Sequence, residues 1–132
     1  MHGSMQGTIT FRTAFNDAGI ASGVKKFTLR ASVAEPMLIE IFSEIATPFN
    51  AVTTNVLTMG TSVAANELLS AVDITEGTLG FYPAANANIR RRIIADTDIW
   101  VKYTQSGAVA TAGIAFFFIR CTPLAPVPTN AI

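Results

Sequence analysis

Two runs near the end of the chain restrict what it can fold into: Asp98-Ile-Trp-Val-Lys-Tyr-Thr104 and Gly113-Ile-Ala-Phe-Phe-Phe-Ile-Arg-Cys121. Successive side chains of an extended strand point to opposite faces. The first run alternates, with Ile99, Val101 and Tyr103 on one face and Trp100 and Lys102 on the other. The second is apolar on both, with Phe116 and Phe118 opposing Phe117 and Ile119. Together they read as the two strands of a long hairpin, joined through Gln105-Ser-Gly-Ala and Thr111-Ala-Gly. An apolar strand face needs a cover. In a chain of 132 residues the second cover is expected to be another subunit.

The rest of the chain repeats the strand pattern. Residues 6–12 alternate Thr8, Thr10 and Arg12 against Ile9 and Phe11. Residues 24–33 place Phe27, Leu29, Ala31 and Val33 opposite Lys26, Thr28, Arg30 and Ser32. Residues 37–46 place Met37, Ile39, Ile41 and Ile45 on one face and Glu40 and Glu44 on the other, with Leu38 and Phe42 interspersed with the glutamates. A helix can be drawn through Leu38, Ile41, Phe42 and Ile45, but three isoleucines and the flanking Pro36 and Pro48 favour a strand. Residues 55–61 and 89–95 give two more short strands, and residues 72–82 a strand or extended arm broken by Gly77 and Gly80.

Residues 64–71 are the only good helix candidate, because Ala, Glu and Leu favour helix and Ser62 is placed to cap it. Seven or eight short strands between turn clusters, with one short helix, predict an all-β antiparallel sandwich or jelly roll. Residues 5–122 form the expected single domain. Residues 1–4 read as a cloning remnant before Met5, and residues 123–132, with Pro123, Pro126 and Pro128, as an extended tail. On that reading His2 is foreign, and the native chain has no histidine.

Composition limits function. Charged residues make up 14% of the chain, and nine basic residues balance nine acidic ones. The usual charged share is about 25%, and interface cores are depleted in charge, so surface hidden in an oligomer is expected. A neutral chain lacks the electrostatic footprint of a nucleic-acid binder. Its longest apolar run, residues 113–119, is far short of the roughly 18 needed to span a bilayer, and no signal peptide is read at the N-terminus.

Candidate chemistry is sparse. Cys121 has no native histidine to activate it and reads as a buried thiol. Asp96 and Asp98, with Asp73, are oxygen donors, but two in a short turn read better as backbone acceptors than as a metal site. Glu40 and Glu44 lie four residues apart on a strand, about 13 Å at the backbone, too far for a paired-carboxylate mechanism. The sequence therefore predicts no enzyme, no cofactor and no metal. The residues expected to act are contact residues: Arg90, Arg91 and Arg92 toward acidic neighbours, and Trp100, Phe116, Phe117 and Phe118 as apolar anchors.

Several segments resemble small structural proteins from the head gene clusters of tailed bacteriophages and prophages. They are Thr47-Pro-Phe-Asn-Ala-Val-Thr-Thr-Asn-Val-Leu-Thr-Met-Gly-Thr61, Asn66-Glu-Leu-Leu69, Ala95-Asp-Thr-Asp-Ile-Trp-Val-Lys-Tyr103, Ser106-Gly107 and Ala112-Gly-Ile-Ala115, spread over residues 37–121. The resemblance implies a virion structural protein, a capsid decoration or other head or tail accessory part, assembled in the host bacterial cytoplasm. Its implied partners are itself, as a homo-oligomer with a trimer expected from capsid geometry, and the major capsid or another virion protein. The resemblance carries no catalytic residues. The chain departs from it in lacking the exposed acidic surface of an outer decoration protein. The alternative is a carbohydrate- or receptor-binding β-sandwich module with Trp100, Tyr82 or Tyr103 as its aromatic platform.

Overall fold

A computed structural model of the chain describes residues 7–84 and 90–126. It is all-β, with eight strands: β1 Gly7–Ala14, β2 Val24–Leu29, β3 Met37–Thr47, β4 Thr54–Gly60, β5 Gly80–Pro83, β6 Arg90–Ile93, β7 Thr97–Ser106 and β8 Ile114–Pro123. Every pairing is antiparallel. One sheet runs β1-β8-β3, with β5 and β6 sharing the far edge of β3; the other runs β2-β7-β4. β6 pairs with Met37–Glu40 and β5 with Phe42–Ile45.

The two sheets pack as a sandwich around one core. Met37, Ile39, Ile41 and Ile45 of β3 and Ala115, Phe117 and Ile119 of β8 enter it from one side, and Leu57 and Met59 of β4 with Ile99, Val101 and Tyr103 of β7 from the other. The expected alternation holds along β3, β7 and β8. The expected hairpin does not. β7 and β8 lie in opposite sheets, so Val101 and Phe117 belong to facing layers rather than to adjacent hydrogen-bonded strands. The period of two tells which side chains share a face but not which strand lies alongside. The crossing segment is held by Asn50, whose Oδ1 accepts the N–H of Thr111 and Ala112 at 2.8 and 3.0 Å.

Ala64–Ala71 is not a helix, and among the described residues there is none. A helix of two turns is marginal without packing to hold it. Here the chain instead folds back along the outer edge of β4. Leu57, Met59 and Thr61 present successive outward N–H groups, which donate to Glu76 Oε2 (2.8 Å), Leu69 O (3.0 Å) and Glu67 Oε1 (2.8 Å). Leu68 and Leu69 are thereby fully buried. An exposed strand edge invites pairing with another chain, and this one is closed by two glutamates and one bridge.

The opposite side, where β1 and β2 are the sheet edges, is interrupted locally. A bulge in β2 between Lys25 and Phe27 leaves Lys26 out of the ladder. Its Nζ donates to Arg12 O at 3.2 Å and lies 3.6 Å from Asp17 Oδ2. Phe11 of β1 and Phe27 of β2 meet edge to face at 5.4 Å beside it. β2 ends at Leu29, short of the expected residue 33, because Ala31 N–H donates to Asp96 Oδ1 instead of to a strand. The expected remnant at 1–4, the loop through 85–88, and the tail past 126 lie outside the described residues.

Candidate interaction surface

The sandwich has two outer faces of different chemistry. The outer face of the β2-β7-β4 sheet carries Lys25, Thr28, Asp98, Trp100, Lys102, Thr58 and Thr104. Asp98 there accepts from Thr28 Oγ1 at 2.7 Å and lies 4.0 Å from Lys25. Trp100 is half-buried, opposite Lys25 on one side and Gly60 on the other. This is an ordinary solvated face with one aromatic set into it.

The outer face of the larger sheet is aromatic. Its register sets three rows across the strands. Arg120, Glu40 and Arg90 form one, Phe118, Phe42 and Pro83 the next, and Phe116, Glu44 and Phe81 the third. Phe42 and Phe81 stack at 5.6 Å, and Phe81 reaches Phe118 at 6.0 Å. Phe81 is 60% exposed. Three phenylalanines joined through Phe81 on the solvent side form a patch of the kind that marks an interaction site. Arg12, opposite Phe116, and Arg92, opposite Leu38, extend the rim. Glu40 holds Arg90 at 3.2 Å and Arg120 at 3.7 Å, fixing two guanidinium groups beside the rings.

The contact residues expected from sequence divide. Arg90, Arg92, Phe116 and Phe118 lie together on this face. Phe117 does not: it is fully buried and stacks on Phe11 at 5.2 Å within the chain's own core, so it has no area to offer a neighbour. Trp100 is on the opposite sheet. Arg91 turns away from Arg90 and Arg92 into an open cleft of about 430 Å³, lined also by Thr61, Ile93, Asp96, Thr97 and Asp98. Phe42 and Phe81 were missed. The available signal was Phe42, an aromatic on the face otherwise marked by Glu40 and Glu44.

The remaining candidates are committed elsewhere. Asp96 accepts from Ala31 N–H at 3.0 Å and lies 3.5 Å from Arg30. Burial pushes the Cys121 thiol pKa up, away from the reactive thiolate. Among the described residues no group of three or more Cys, His, Asp or Glu side chains is placed to hold a metal ion. Among the described residues Glu76 is the one buried carboxylate, 6% exposed; burial raises its pKa, opposed by the Leu57 N–H. Its place is under the β4 edge, next to the buried Tyr103, whose hydroxyl donates to Asn55 Oδ1. The Asp96 and Glu76 carboxylates are used to hold backbone N–H groups of the fold. Compared with known proteins, the chain matches no family model, no curated protein and no solved structure.

Proposed function

We propose that this chain is a non-enzymatic structural protein of a bacteriophage particle, a capsid decoration or head or tail accessory protein, that works by seating the outer face of its larger sheet on a neighbouring subunit. The observation that carries the reading is the segregation of side chains between the two outer faces. Four arginines and the Phe42, Phe81, Phe116 and Phe118 rings lie on one, whereas Lys25 and Lys102 lie on the other. Aromatic residues and arginine are enriched at protein interfaces and lysine is depleted. They also supply most residues whose loss is costly to binding.

The strand order supports the same reading. β1 lies beside β8, β2 beside β7 and β3 beside β6, the nesting of one long hairpin rolled over on itself. We read this as a jelly-roll winding in which β5 has moved from β4 to β3. Jelly rolls serve in viral capsids and also in lectins. A fold alone does not decide between such uses; the aromatic, arginine-rimmed face favours assembly. The sequence resemblance to phage head proteins points the same way.

The test is mass spectrometry of purified phage particles whose genome encodes the chain. The expected result is the chain present in stoichiometric amount; its absence from intact particles would overturn the assignment. The carbohydrate- or receptor-binding alternative draws on the polar cleft beside Arg91. Binding on a glycan array by a monomeric chain, lost in Arg91→Ala, would favour it.

A further inference from the structure

Taking the face just described as an assembly surface, the charges on it say what covers it. Arg12, Arg90, Arg92 and Arg120 stand against Glu40 and Glu44, an excess of two positive charges. The whole chain is neutral, so everything outside this face carries an excess of two negative charges. Two copies meeting through the same face about a two-fold axis would bring like-charged rims together, which disfavours the contact.

One segment of the chain has the complementary character. The loop between β4 and β5, residues 61–79, holds Glu67, Asp73 and Glu76 and no lysine or arginine. Glu67 and Glu76 turn inward to the β4 edge. Asp73 is half-buried and uses Oδ2 to accept the Ser70 N–H at 2.8 Å. Beside it Val72 is 87% exposed, and Val63 and Leu79 are 55% and 62% exposed. An exposed valine next to a carboxylate suits a cluster of phenyl rings framed by guanidinium groups.

We propose that the aromatic, arginine-rimmed face of one copy receives the β4–β5 loop of a second copy, with Val72 against Phe42, Phe81 and Phe118 and Asp73 toward the arginine rim. Such a contact is heterologous. It uses two different surfaces on each chain, so it propagates into a ring when the rotation closes. A cyclic trimer is one such ring; a two-fold dimer is not. The β4 edge beside the loop being occupied by Glu67, Leu69 and Glu76, the contact is made by side chains on a face rather than by β-pairing at that edge.

Mixing two variants of the full chain tests this. Phe81→Glu spoils the receiving face, and Val72→Arg spoils the loop; both sites are well exposed. Wild-type-like thermal unfolding of each establishes that the fold is kept, and Val72→Glu serves as a second loop variant that should keep association. In sedimentation velocity, each of the first two alone should associate roughly tenfold or more weakly than wild type, as truncating a contact of central importance does. Mixed in equal amounts, they should form a complex that stops at two chains, because one good face and one good loop survive. Wild-type-like association of Val72→Arg, or monomers only in the mixture while Phe81→Glu alone dissociates, would overturn the loop as occupant and leave the face as the assembly surface. A wild-type chain that never self-associates would overturn the second copy as the occupant and, with it, self-assembly through this face.

Discussion

Glu76 Oε2 accepts the Leu57 N–H at 2.8 Å, joining a buried carboxylate to the outer edge of β4. Four residues along, Glu67 Oε1 does the same for Thr61, whose hydroxyl also donates to Oε2 at 3.0 Å. These two glutamates stand where a paired strand would otherwise supply carbonyl oxygens. Their environments push their pKa values in opposite directions.

For Glu76, burial raises the pKa above its ordinary value of 4.5, with the Leu57 N–H opposing. A raised folded-state pKa gives stability that is fully present below 4.5 and is lost as pH rises through the folded value. For Glu67, burial raises the pKa, but the Thr61 hydrogen bonds and the charge of Arg91 outweigh it and the net direction is downward. Its stabilisation is present above 4.5 and lost as pH falls through the lowered value. Denaturant unfolding across pH should therefore show wild type losing stability relative to Glu76→Gln from acidic toward neutral pH. Its advantage over Glu67→Gln should be present at neutral pH and fade in acid. Parallel pH profiles for wild type and both variants would contradict this.

Removing the acceptor altogether is a sharper change. Glu76→Ala leaves the Leu57 N–H without its partner at a buried edge, which costs about 1–3 kcal/mol. The check is the denaturation midpoint at constant slope.

Thr13 gives the opposite sign. It is fully buried, and its Oγ1 has no hydrogen-bond partner among the described residues. Replacing it with Val keeps the β-branched shape and removes the orphan hydroxyl. Thr13→Val should leave stability unchanged or raise it by about 1 kcal/mol, measured by denaturant unfolding.

Gly113 is fixed by its neighbour. It has φ +153°, and a Cβ there would stand 2.4 Å from the Phe49 ring. Phe49 is buried against Tyr103 at 4.9 Å, so the ring has little room to move. Gly113→Ala should lower stability by about 1–3 kcal/mol, the usual cost of overpacking, seen as a fall in Tm.

Much of the fold was legible because alternation marks strands whatever their partners. Met37 to Ile45 and Ile99 to Tyr103 declare an inner face by simple periodicity. Strand pairing was not legible. β3 pairs with β8 and β4 with β7, far apart in sequence, so the β7–β8 hairpin was the natural but incorrect local reading. The helix at residues 64–71 failed because local propensity is weak against the need of Leu57, Met59 and Thr61 for acceptors. Of the candidate surface, Phe116, Phe118, Arg90 and Arg92 were legible. Phe117 was misassigned because β8 is apolar on both sides and its own sequence does not say which side faces the core. Phe81 was hidden in a segment broken by glycines, where no period of two can develop.

Assembly as proposed requires that the Phe42, Phe81 and Phe118 face be covered by protein in solution. It is tested most directly by the mass of the full chain, measured by light scattering over a range of concentrations for wild type and Phe118→Asp. Assembly through this face gives a multiple of the 14.0 kDa chain mass for wild type and a folded species of lower mass for the variant. A wild-type chain that stays at 14.0 kDa at every concentration, or a Phe118→Asp chain that keeps the wild-type mass, would contradict it.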